Sequence, residues 1–399
     1  MTKRPLTVPL GAMLLATLVA SCGGGGGSSP SQPTQNVQAI TVDGGPANFP
    51  DLAFTSVTVC APGSSSNCQT IDHIQIDTGS SGLRLFASVV APMLSLPQQN
   101  AASGNPLAEC AQFVDGFSWG SVKLADIRVA GEQANSVPIQ VIGDSAFPTI
   151  PPSCSASGPP ENTVLAFGAN GLLGVGIFVQ DCGGGCVQSA IPGTYYACAP
   201  AGCQPTSVAL ARQLQNPVAL FASDNNGVII QLPAISPNGA LTAAGSMIFG
   251  IGTQANNGLG GATPLPVDPN TGNIVTTYSG LTYTNSYIDA GTSVIAFGSR
   301  LFPDCTGPDA GLYCPPTLQN LSAMLRGTTT AATMVNFSIA NPDQLFGANP
   351  AFNAFNDLGA PSGDTVTFAW GLPFFFGRNV YTAIEGRSTP GGIGPYVAF

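Results

Sequence analysis

Short apolar runs separated by turn residues set the pattern of this chain. The runs are rich in β-branched and aromatic residues, and 50 glycines and 35 prolines among 399 residues leave few stretches long enough for helices. We therefore expect a mostly β protein. The pattern predicts strands at 52–60, 69–77, 121–129, 137–142, 228–232, 246–249, 274–278 and 365–370. It predicts helices only at 206–214 and 318–326.

The first two predicted strands form a hairpin around the polar turn at 61–67, and Cys60 and Cys68 are placed to close its mouth. The second of these strands runs directly into Asp77. The same device, an apolar strand followed by an acid, a small residue, a glycine and a hydroxyl, occurs again in the second half of the chain. The two motifs are Asp77-Thr78-Gly79-Ser80 and Asp289-Ala290-Gly291-Thr292.

This duplicated motif predicts two carboxylates that face each other. The glycine after each acid permits a tight turn and a close approach of two backbones, and the hydroxyl three residues on can hydrogen-bond the acid of its own loop. Two carboxylates held that close cannot both ionise, so one acts as a base while the other acts as an acid. A single motif is weak evidence, but the matched pair favours a catalytic site.

The first 21 residues resemble the signal peptide of a bacterial lipoprotein. Lys3 and Arg4 precede an apolar stretch at 6–20 that is too short to span a bilayer, and small residues precede Cys22. We expect lipid on Cys22, followed by a flexible Gly/Ser/Pro tether over 22–38. The protein would be exported and anchored to the cell envelope by this lipid. The outer membrane is favoured in a Gram-negative cell, because Gly23 and not aspartate follows the cysteine.

The rest of the chain is long enough for two lobes of ordinary domain size, each with one acid motif. We predict an N-terminal β lobe over 39–252 that carries Asp77 and a C-terminal β lobe over 253–399 that carries Asp289. The 20 acidic residues against 10 basic ones do not suit a nucleic acid partner. We expect a monomer.

Eleven cysteines leave ten once Cys22 carries lipid, and an even number in an exported chain indicates up to five disulfides. Three pairs are close in sequence and flank turns, so local bridges are expected between Cys60 and Cys68, Cys198 and Cys203, and Cys305 and Cys314. The pairing of Cys110, Cys154, Cys182 and Cys186 stays open. A zinc site made by Cys182, Cys186, Cys198 and Cys203 is the alternative, although an oxidising compartment favours bridges.

Other chemistries are excluded by the residues present. His73 is the only histidine, which rules out sites built on several histidines, and we expect it to be an ordinary strand residue. No Gly-x-Ser-x-Gly elbow accompanies it, and the glycine loop at 171–176 lacks the spacing of a phosphate cradle. We expect neither a metal nor a cofactor.

With both acid loops in place, the chain resembles the pepsin-type aspartic proteases, as a divergent bacterial lipoprotein branch of uncharacterised function. Segments similar to that family follow in the family's order from about Asn48 to Phe399, although only the acid loops are individually specific. These segments lie at 170–176, 216–218, 245–250, 370–374 and 380–384. The resemblance implies a two-lobed β fold with a cleft between the lobes.

The resemblance also implies the chemistry. A water held between Asp77 and Asp289 would be activated by the ionised carboxylate while the other protonates a peptide carbonyl. Ser80 and Thr292 stand where that family places hydroxyls that bond the two acids, and Gly79 and Gly291 form the turns. Thr78 stands where a threonine reaches across to the opposite loop.

Three departures from the family pattern matter. Ala290 replaces the second crossing hydroxyl, and no tyrosine occurs in the hairpin expected to cover the cleft, where Phe117 and Trp119 are the candidates. Arg84 stands where a tryptophan is usual, and it would either stack on Trp119 or be a solvated strand residue.

Two functions therefore compete. The first is an exported, lipid-anchored aspartic endopeptidase that acts on polypeptides. The second is a catalytically weak or inactive pepsin-like fold that binds a peptide or partner at the cell surface. A weaker third hypothesis is a surface β protein with coincidental motifs.

Overall fold

A computed structural model of the chain describes residues 36–299 and 301–399. The predicted signal peptide at 1–21, Cys22 and the tether up to residue 35 lie outside this range. The first strand begins at Val37, so the last two residues assigned to the tether belong to the fold. Their backbone pairs with a strand far along the chain, Val37 opposite Ile248, which a local composition argument does not detect.

The described chain is built mainly from strands. In chain order, they are β1 Val37–Asp43, β2 Leu52–Cys60, β3 Cys68–Asp77, β4 Ser81–Phe86, β5 Leu107–Gln112, β6 Phe117–Val129, β7 Glu132–Ile142, β8 Gly171–Val175, β9 Tyr195–Ala199, β10 Gly202–Pro205, β11 Gly227–Leu232, β12 Ala243–Phe249, β13 Pro264–Pro266, β14 Ile274–Tyr278, β15 Leu281–Ile288, β16 Ile295–Phe297, β17 Gln319–Arg326, β18 Ala332–Ile339, β19 Gly359–Ala360, β20 Thr367–Trp370, β21 Arg378–Ala383, β22 Ser388–Thr389, β23 Gly392–Ile393 and β24 Tyr396–Ala398. Each of the eight predicted strands overlaps one of them, and β2 and β14 have the predicted bounds.

Helices are short. The α-helices are α1 Pro152–Ser155, α2 Val164–Phe167, α3 Gly184–Gln188 and α4 Pro342–Ala348. Single 3₁₀ turns lie at Gly45–Ala47, Pro92–Leu94, Leu210–Arg212, Pro217–Leu220, Gly307–Asp309 and Leu372–Phe374. Across the described residues, no helix is both long and apolar enough to cross a membrane.

Both predicted helices are wrong. The segment 318–326 is strand β17, where Ala323 and Leu325 are buried on one face and alternate with more exposed positions, so a period of two prevails over the helical propensity of its residues. The segment 206–214 has only the 3₁₀ turn at Leu210–Arg212. The Val208 N–H of this segment donates to the Cys186 carbonyl at 2.7 Å, a contact with another part of the chain instead of a helical one.

Two sheets hold most of the strands. The larger has fifteen strands in the order β10-β9-β5-β6-β7-β4-β8-β3-β2-β1-β12-β11-β21-β24-β13, and the smaller has seven in the order β18-β17-β14-β15-β20-β16-β19. Strands β13, β21 and β24 come from the C-terminal part of the chain but complete the larger sheet beside β11 and β12. The lobe boundaries predicted at 252 and 253 stay a prediction.

The same arrangement of three paired strands occurs once in each sheet. Strand β3 pairs in parallel with β8, which pairs antiparallel with β4, and strand β15 pairs in parallel with β20, which pairs antiparallel with β16. Asp77 is the last residue of β3 and lies opposite Gly174 of β8. Asp289 directly follows β15, whose last residue Ile288 lies opposite Trp370 of β20. The chain thus has two equivalent acid loops: one connects β3 to β4 and the other connects β15 to β16.

All ten cysteines within the described residues form disulfides, five in number. The three local bridges are formed as predicted, and the remaining four cysteines pair as Cys110–Cys154 and Cys182–Cys186. The zinc alternative is wrong, because its four sulfurs are bonded in two pairs and a thiolate, not a disulfide, is the metal ligand.

Candidate active site

The two acid loops meet in the structure, so the hypothesis of coincidental motifs is wrong. Asp77 is 6% exposed and Asp289 is 8% exposed, although each carries a carboxyl group. Each glycine of the motifs lies against the opposite acid: a Cβ added to Gly79 would stand 2.9 Å from the Asp289 Cγ, and one added to Gly291 would stand 2.9 Å from the Asp77 Cγ. Only glycine permits this approach of the two loops.

Within each loop, two donors hold the carboxylate. The Gly79 N–H donates to Asp77 Oδ1 at 2.7 Å, and the Ser80 hydroxyl donates to Asp77 Oδ2. The second loop repeats this arrangement: Gly291 donates its N–H to Asp289 Oδ1 at 2.8 Å and Thr292 donates its hydroxyl to Oδ2 at 2.8 Å. In each acid, Oδ1 accepts from the glycine N–H and Oδ2 accepts from the hydroxyl, and these two contacts fix the plane of the carboxyl group.

Between the loops, the crossing contacts differ. The Thr78 hydroxyl accepts a hydrogen bond from the Ala290 N–H at 2.9 Å and donates one to the Ile288 carbonyl at 3.4 Å. Ala290 is fully buried and offers no hydroxyl in return. A second crossing comes instead from Gln75, whose amide donates to the Gly291 carbonyl at 2.9 Å. Nothing in the local pattern marked Gln75, because its role depends on the opposite loop.

Burial and the neighbouring acid perturb the ionisation of Asp289. Burial, the nearby Asp77 charge and a hydrogen bond with Asp77 raise the pKa of Asp289 well above its usual range, against the opposing effect of its Gly291 and Thr292 donors. Burial next to these acids also raises the pKa of Tyr287 to about 12. The raised pKa of Asp289 lets the pair hold a proton when ordinary carboxyls are ionised, so the pair can offer a proton donor and a proton acceptor in one cleft.

The dyad lies in a cleft of about 1330 Å³ lined by residues from both sheets and their loops. The hairpin β5–β6 borders this cleft, but the two candidate aromatics do not face it. Phe117 and Trp119 are 1% and 2% exposed, and the Trp119 indole packs on Tyr196 and donates to the Phe147 carbonyl at 2.9 Å. The turn before them lines the cleft instead, with Phe113, Val114 and Asp115.

Both expectations for Arg84 are wrong. The side chain is 4% exposed, and its guanidinium pairs with Glu109 at 2.7 Å and with Asp181 at 3.5 Å. An arginine at the middle of an inner strand is stable there only because carboxylates from other segments meet it. A buried polar cluster on the cleft consists of Arg84, Glu109, Asp181 and Tyr195. No sequence motif predicts this cluster, because its members are far apart along the chain.

Metal ligands are sparse. Among the described residues, one group of three candidate ligand atoms lies within 4.8 Å, from Cys305, Cys314 and Asp343. Its two sulfurs are bonded to each other, so this group does not suit a cation. His73 lies in β3 as expected, with its imidazole 3.5 Å from the Asp43 carboxylate.

The fold is that of the pepsin-like proteins. The structure is similar to the crystal structure of an aspartic proteinase from Irpex lacteus, with a TM-score of 0.51 and 16% sequence identity over 91% of this chain and 96% of that one. The chain belongs to the family described as "Protein of unknown function (DUF3443)", which matches residues 32–399. A search of curated protein sequences finds no match.

Proposed function

We propose that the protein is an aspartic endopeptidase that hydrolyses peptide bonds with a water activated between Asp77 and Asp289. One observation carries the proposal: each motif glycine lies against the opposite acid, so the two buried carboxyls share one site. The similarity of the fold to an aspartic proteinase supports it. The substrate would be an extended polypeptide in the cleft that the two acids line.

The roles of the two acids follow from their surroundings. Asp289, whose pKa is raised by burial and by Asp77, would donate its proton to the carbonyl oxygen of the substrate. Asp77 would take a proton from the attacking water, while Gly79 and Ser80 hold its carboxylate in place. Proton transfer back through the two carboxyls would protonate the leaving amine and restore the starting state.

We also propose that the enzyme works outside the cytoplasm, attached to the cell envelope by lipid on Cys22. The five disulfides support an oxidising compartment. Labelling of growing cells with a clickable fatty acid tests the anchor: Cys22→Ser should abolish the label and leave the protein soluble. Unchanged labelling of the variant would refute the anchor without touching the proposed chemistry.

The catalytic proposal is tested on an unfolded protein substrate with the full chain in detergent. Asp77→Asn and Asp289→Asn should each lower turnover by about 10²–10⁴-fold, the usual contribution of a positioned acid or base. Asp115→Asn is the matched control, because Asp115 lines the same cleft outside the dyad. Turnover should fall as the pH rises through the raised pKa of Asp289, since the donor then loses its proton. Equal activity of all four proteins would refute the proposal.

A second candidate, a peptide-binding protein without turnover, is favoured by one observation. The buried Ala290 removes one of the two hydroxyl contacts expected between the loops. An inhibitor that mimics the tetrahedral transition state distinguishes the two functions. If it raises the melting temperature and the protein cleaves its substrate, the binding function is refuted; peptide binding without any cleavage would favour it.

A further inference from the structure

The cleft that holds the dyad is strongly acidic. Its lining contains six carboxyl groups and, within the described residues, one cationic side chain, Arg84. The six acids are Asp77, Glu109, Asp115, Glu161, Asp181 and Asp289. Even with one proton on the dyad and one on Asp181, the carboxylates outnumber the single cation at neutral pH. Low-dielectric walls focus this field, so the cleft attracts cationic groups and repels anionic ones.

Two of these acids form a second pair, apart from the dyad residues. Arg84 of β4 donates from one guanidinium nitrogen to Glu109 Oε1 of β5 at 2.7 Å, and that same nitrogen lies 3.5 Å from Asp181 Oδ2 in the segment after β8. The single positive charge of Arg84 therefore faces two carboxyl groups. With both ionised, the cluster has an excess of one negative charge.

The surrounding chain holds this cluster in place. The Tyr195 hydroxyl of β9 lies 2.8 and 2.7 Å from the two Asp181 oxygens and accepts the Leu214 N–H at 2.7 Å. The Asp181 N–H donates to the Leu214 carbonyl at 3.1 Å, and the next residue, Cys182, is bridged to Cys186. A site fixed by this many contacts is preorganised and does not depend on a mobile loop.

One buried atom of the cluster has no partner. Glu109 is 2% exposed, and its Oε2 has no hydrogen-bond donor, while the Asp181 side chain retains 12% exposure and reaches the cleft. Burial and the Glu109 charge raise the pKa of Asp181 well above its usual range, against the lowering effect of Arg84. The Asp181 carboxyl therefore holds a proton more tightly than an ordinary carboxyl does, and a cation that enters beside it can replace that proton.

We propose that the Glu109–Asp181 pair binds the ammonium or guanidinium group of a lysine or arginine side chain of the polypeptide in the cleft. This inference rests on the proposed function, because it names the substrate class of the same site. The incoming cation forms a charge-assisted hydrogen bond with Asp181, and the proton held by the pair passes to solvent, so the total charge of the site is conserved. An apolar side chain would not form this hydrogen bond with Asp181, and an acidic one would add a further negative charge beside the pair.

The experiment uses three peptides that differ at one position, with lysine, norleucine or glutamate, and moves that position along the sequence around the cleaved bond. At one position, lysine should raise kcat/KM about tenfold over norleucine, the ratio that corresponds to one net charge-assisted contact. Asp181→Asn, which keeps the shape and a hydrogen-bond acceptor for Tyr195, should bring this ratio close to one. Asp115→Asn, the matched control, removes one acid of the cleft lining but none of the pair, so it should keep most of the preference for lysine.

The wild-type protein alone can refute the inference. Equal kcat/KM for lysine and norleucine at every position, or a preference for glutamate, would overturn it whatever the variants do. Glu109→Gln serves as a second variant: its loss of the lysine preference is expected, and its melting temperature should fall, because the buried Arg84 then keeps only the Asp181 carboxylate. A lysine preference that survives in both variants would also overturn the inference.

Binding measurements separate this inference from the proposed function. Calorimetry on Asp289→Asn in buffers of different ionisation enthalpy should show tighter binding of the lysine peptide and release of a proton at acidic pH. If no peptide is cleaved but wild-type protein binds the lysine peptide best, the proposed function fails and the inference stands. Cleavage without any preference between the peptides would refute the inference alone.

Discussion

At the scale of single residues, the two acid loops are less alike than their motifs. Each acid has the same pair of donors in its own loop, but only Thr78 provides a hydroxyl that crosses to the other loop. Ala290 contributes its backbone N–H and no side-chain contact, and Gln75 supplies the other crossing to Gly291. The connection between the loops thus depends on Thr78 more than it would in a symmetric pair.

We predict that Thr78→Val destabilises the protein by about 1–3 kcal/mol, because the buried Ala290 N–H then loses its acceptor while the shape is kept. Turnover should fall as well, since the two carboxyls are no longer held in one geometry. Urea unfolding and the proteolysis assay measure the two effects. Thr78→Ser is the control and should retain most of the stability, because it keeps the hydroxyl. A larger loss in Thr78→Ser than in Thr78→Val would show that the methyl group, and not the hydrogen bond, is what matters.

At the scale of elements, disulfides fix the hairpin that borders the cleft. Cys110 of β5 is bonded to Cys154 of α1, and the adjacent β9–β10 hairpin is closed by Cys198–Cys203. The segment after α1 also holds the hairpin, since Phe117 donates to the Pro159 carbonyl at 3.1 Å and accepts from the Glu161 N–H at 2.8 Å. The turn at Phe113 to Asp115 lines the cleft, together with Glu109 to Gln112 of β5.

We predict a larger stability loss from Cys110→Ala with Cys154→Ala than from Cys182→Ala with Cys186→Ala. The first bridge joins residues 44 apart and the second joins residues 4 apart, so their removal restores very different amounts of chain entropy to the unfolded state. The entropy relation gives about 4 kcal/mol for the first and about 2 kcal/mol for the second. Denaturant unfolding under non-reducing conditions compares the two double variants. The reverse order would contradict the bridge assignment or its entropic role.

The elements also show what periodicity can and cannot predict. Strands such as β2 and β14 were predicted with their bounds, because turn residues flank them on both sides. Strand β17 was predicted as a helix, since its Leu, Ala, Met and Arg residues favour helices, and only pairing with β14 and β18 makes it extended. In β17, pairing with neighbouring strands therefore outweighs the intrinsic helix propensity of the residues.

At the scale of the whole molecule, a third buried acid pair, outside the cleft, joins distant parts of the chain. Asp51 and Asp357 are both fully buried, and the Asp51 carboxylate accepts the Phe355 N–H at 2.7 Å. The other Asp51 oxygen and both Asp357 carboxyl oxygens have no partners within the described structure. Burial raises the pKa of Asp357 to about 7, and burial together with Asp357 raises that of Asp51 well above its usual range.

This pair predicts a pH dependence of stability. An acid whose pKa is raised by folding stabilises the native state below its unfolded pKa, near 4, and this stability is lost as the pH rises through the folded value, about 7 for Asp357. We expect Asp357→Asn to gain stability over wild type between pH 4 and pH 8, by up to about 4 kcal/mol for a shift of three pKa units. Thermal denaturation across this range measures the difference.

Asp364→Asn is the control for that series. Asp364 is exposed, and donors from Thr367 and Val366 lower the pKa of its carboxyl, so its contribution is lost as the pH falls instead of as it rises. The Asp364 variant should therefore show no gain toward neutral pH. A constant difference between Asp357→Asn and wild type at every pH would contradict the buried charge of Asp357.

The sequence by itself determined the features that depend on neighbouring residues: the β class, the two acid loops, and the three disulfides between close cysteines. Spacing and turn chemistry are local, so they can be recognised along the chain. Only the tertiary structure decided the features that depend on distant residues. It paired Cys110 with Cys154, turned Trp119 inward, put Gln75 against Gly291, and gathered Arg84, Glu109 and Asp181 on the cleft. Burial sets the charge and the partners of such groups, and burial exists only once the chain has folded.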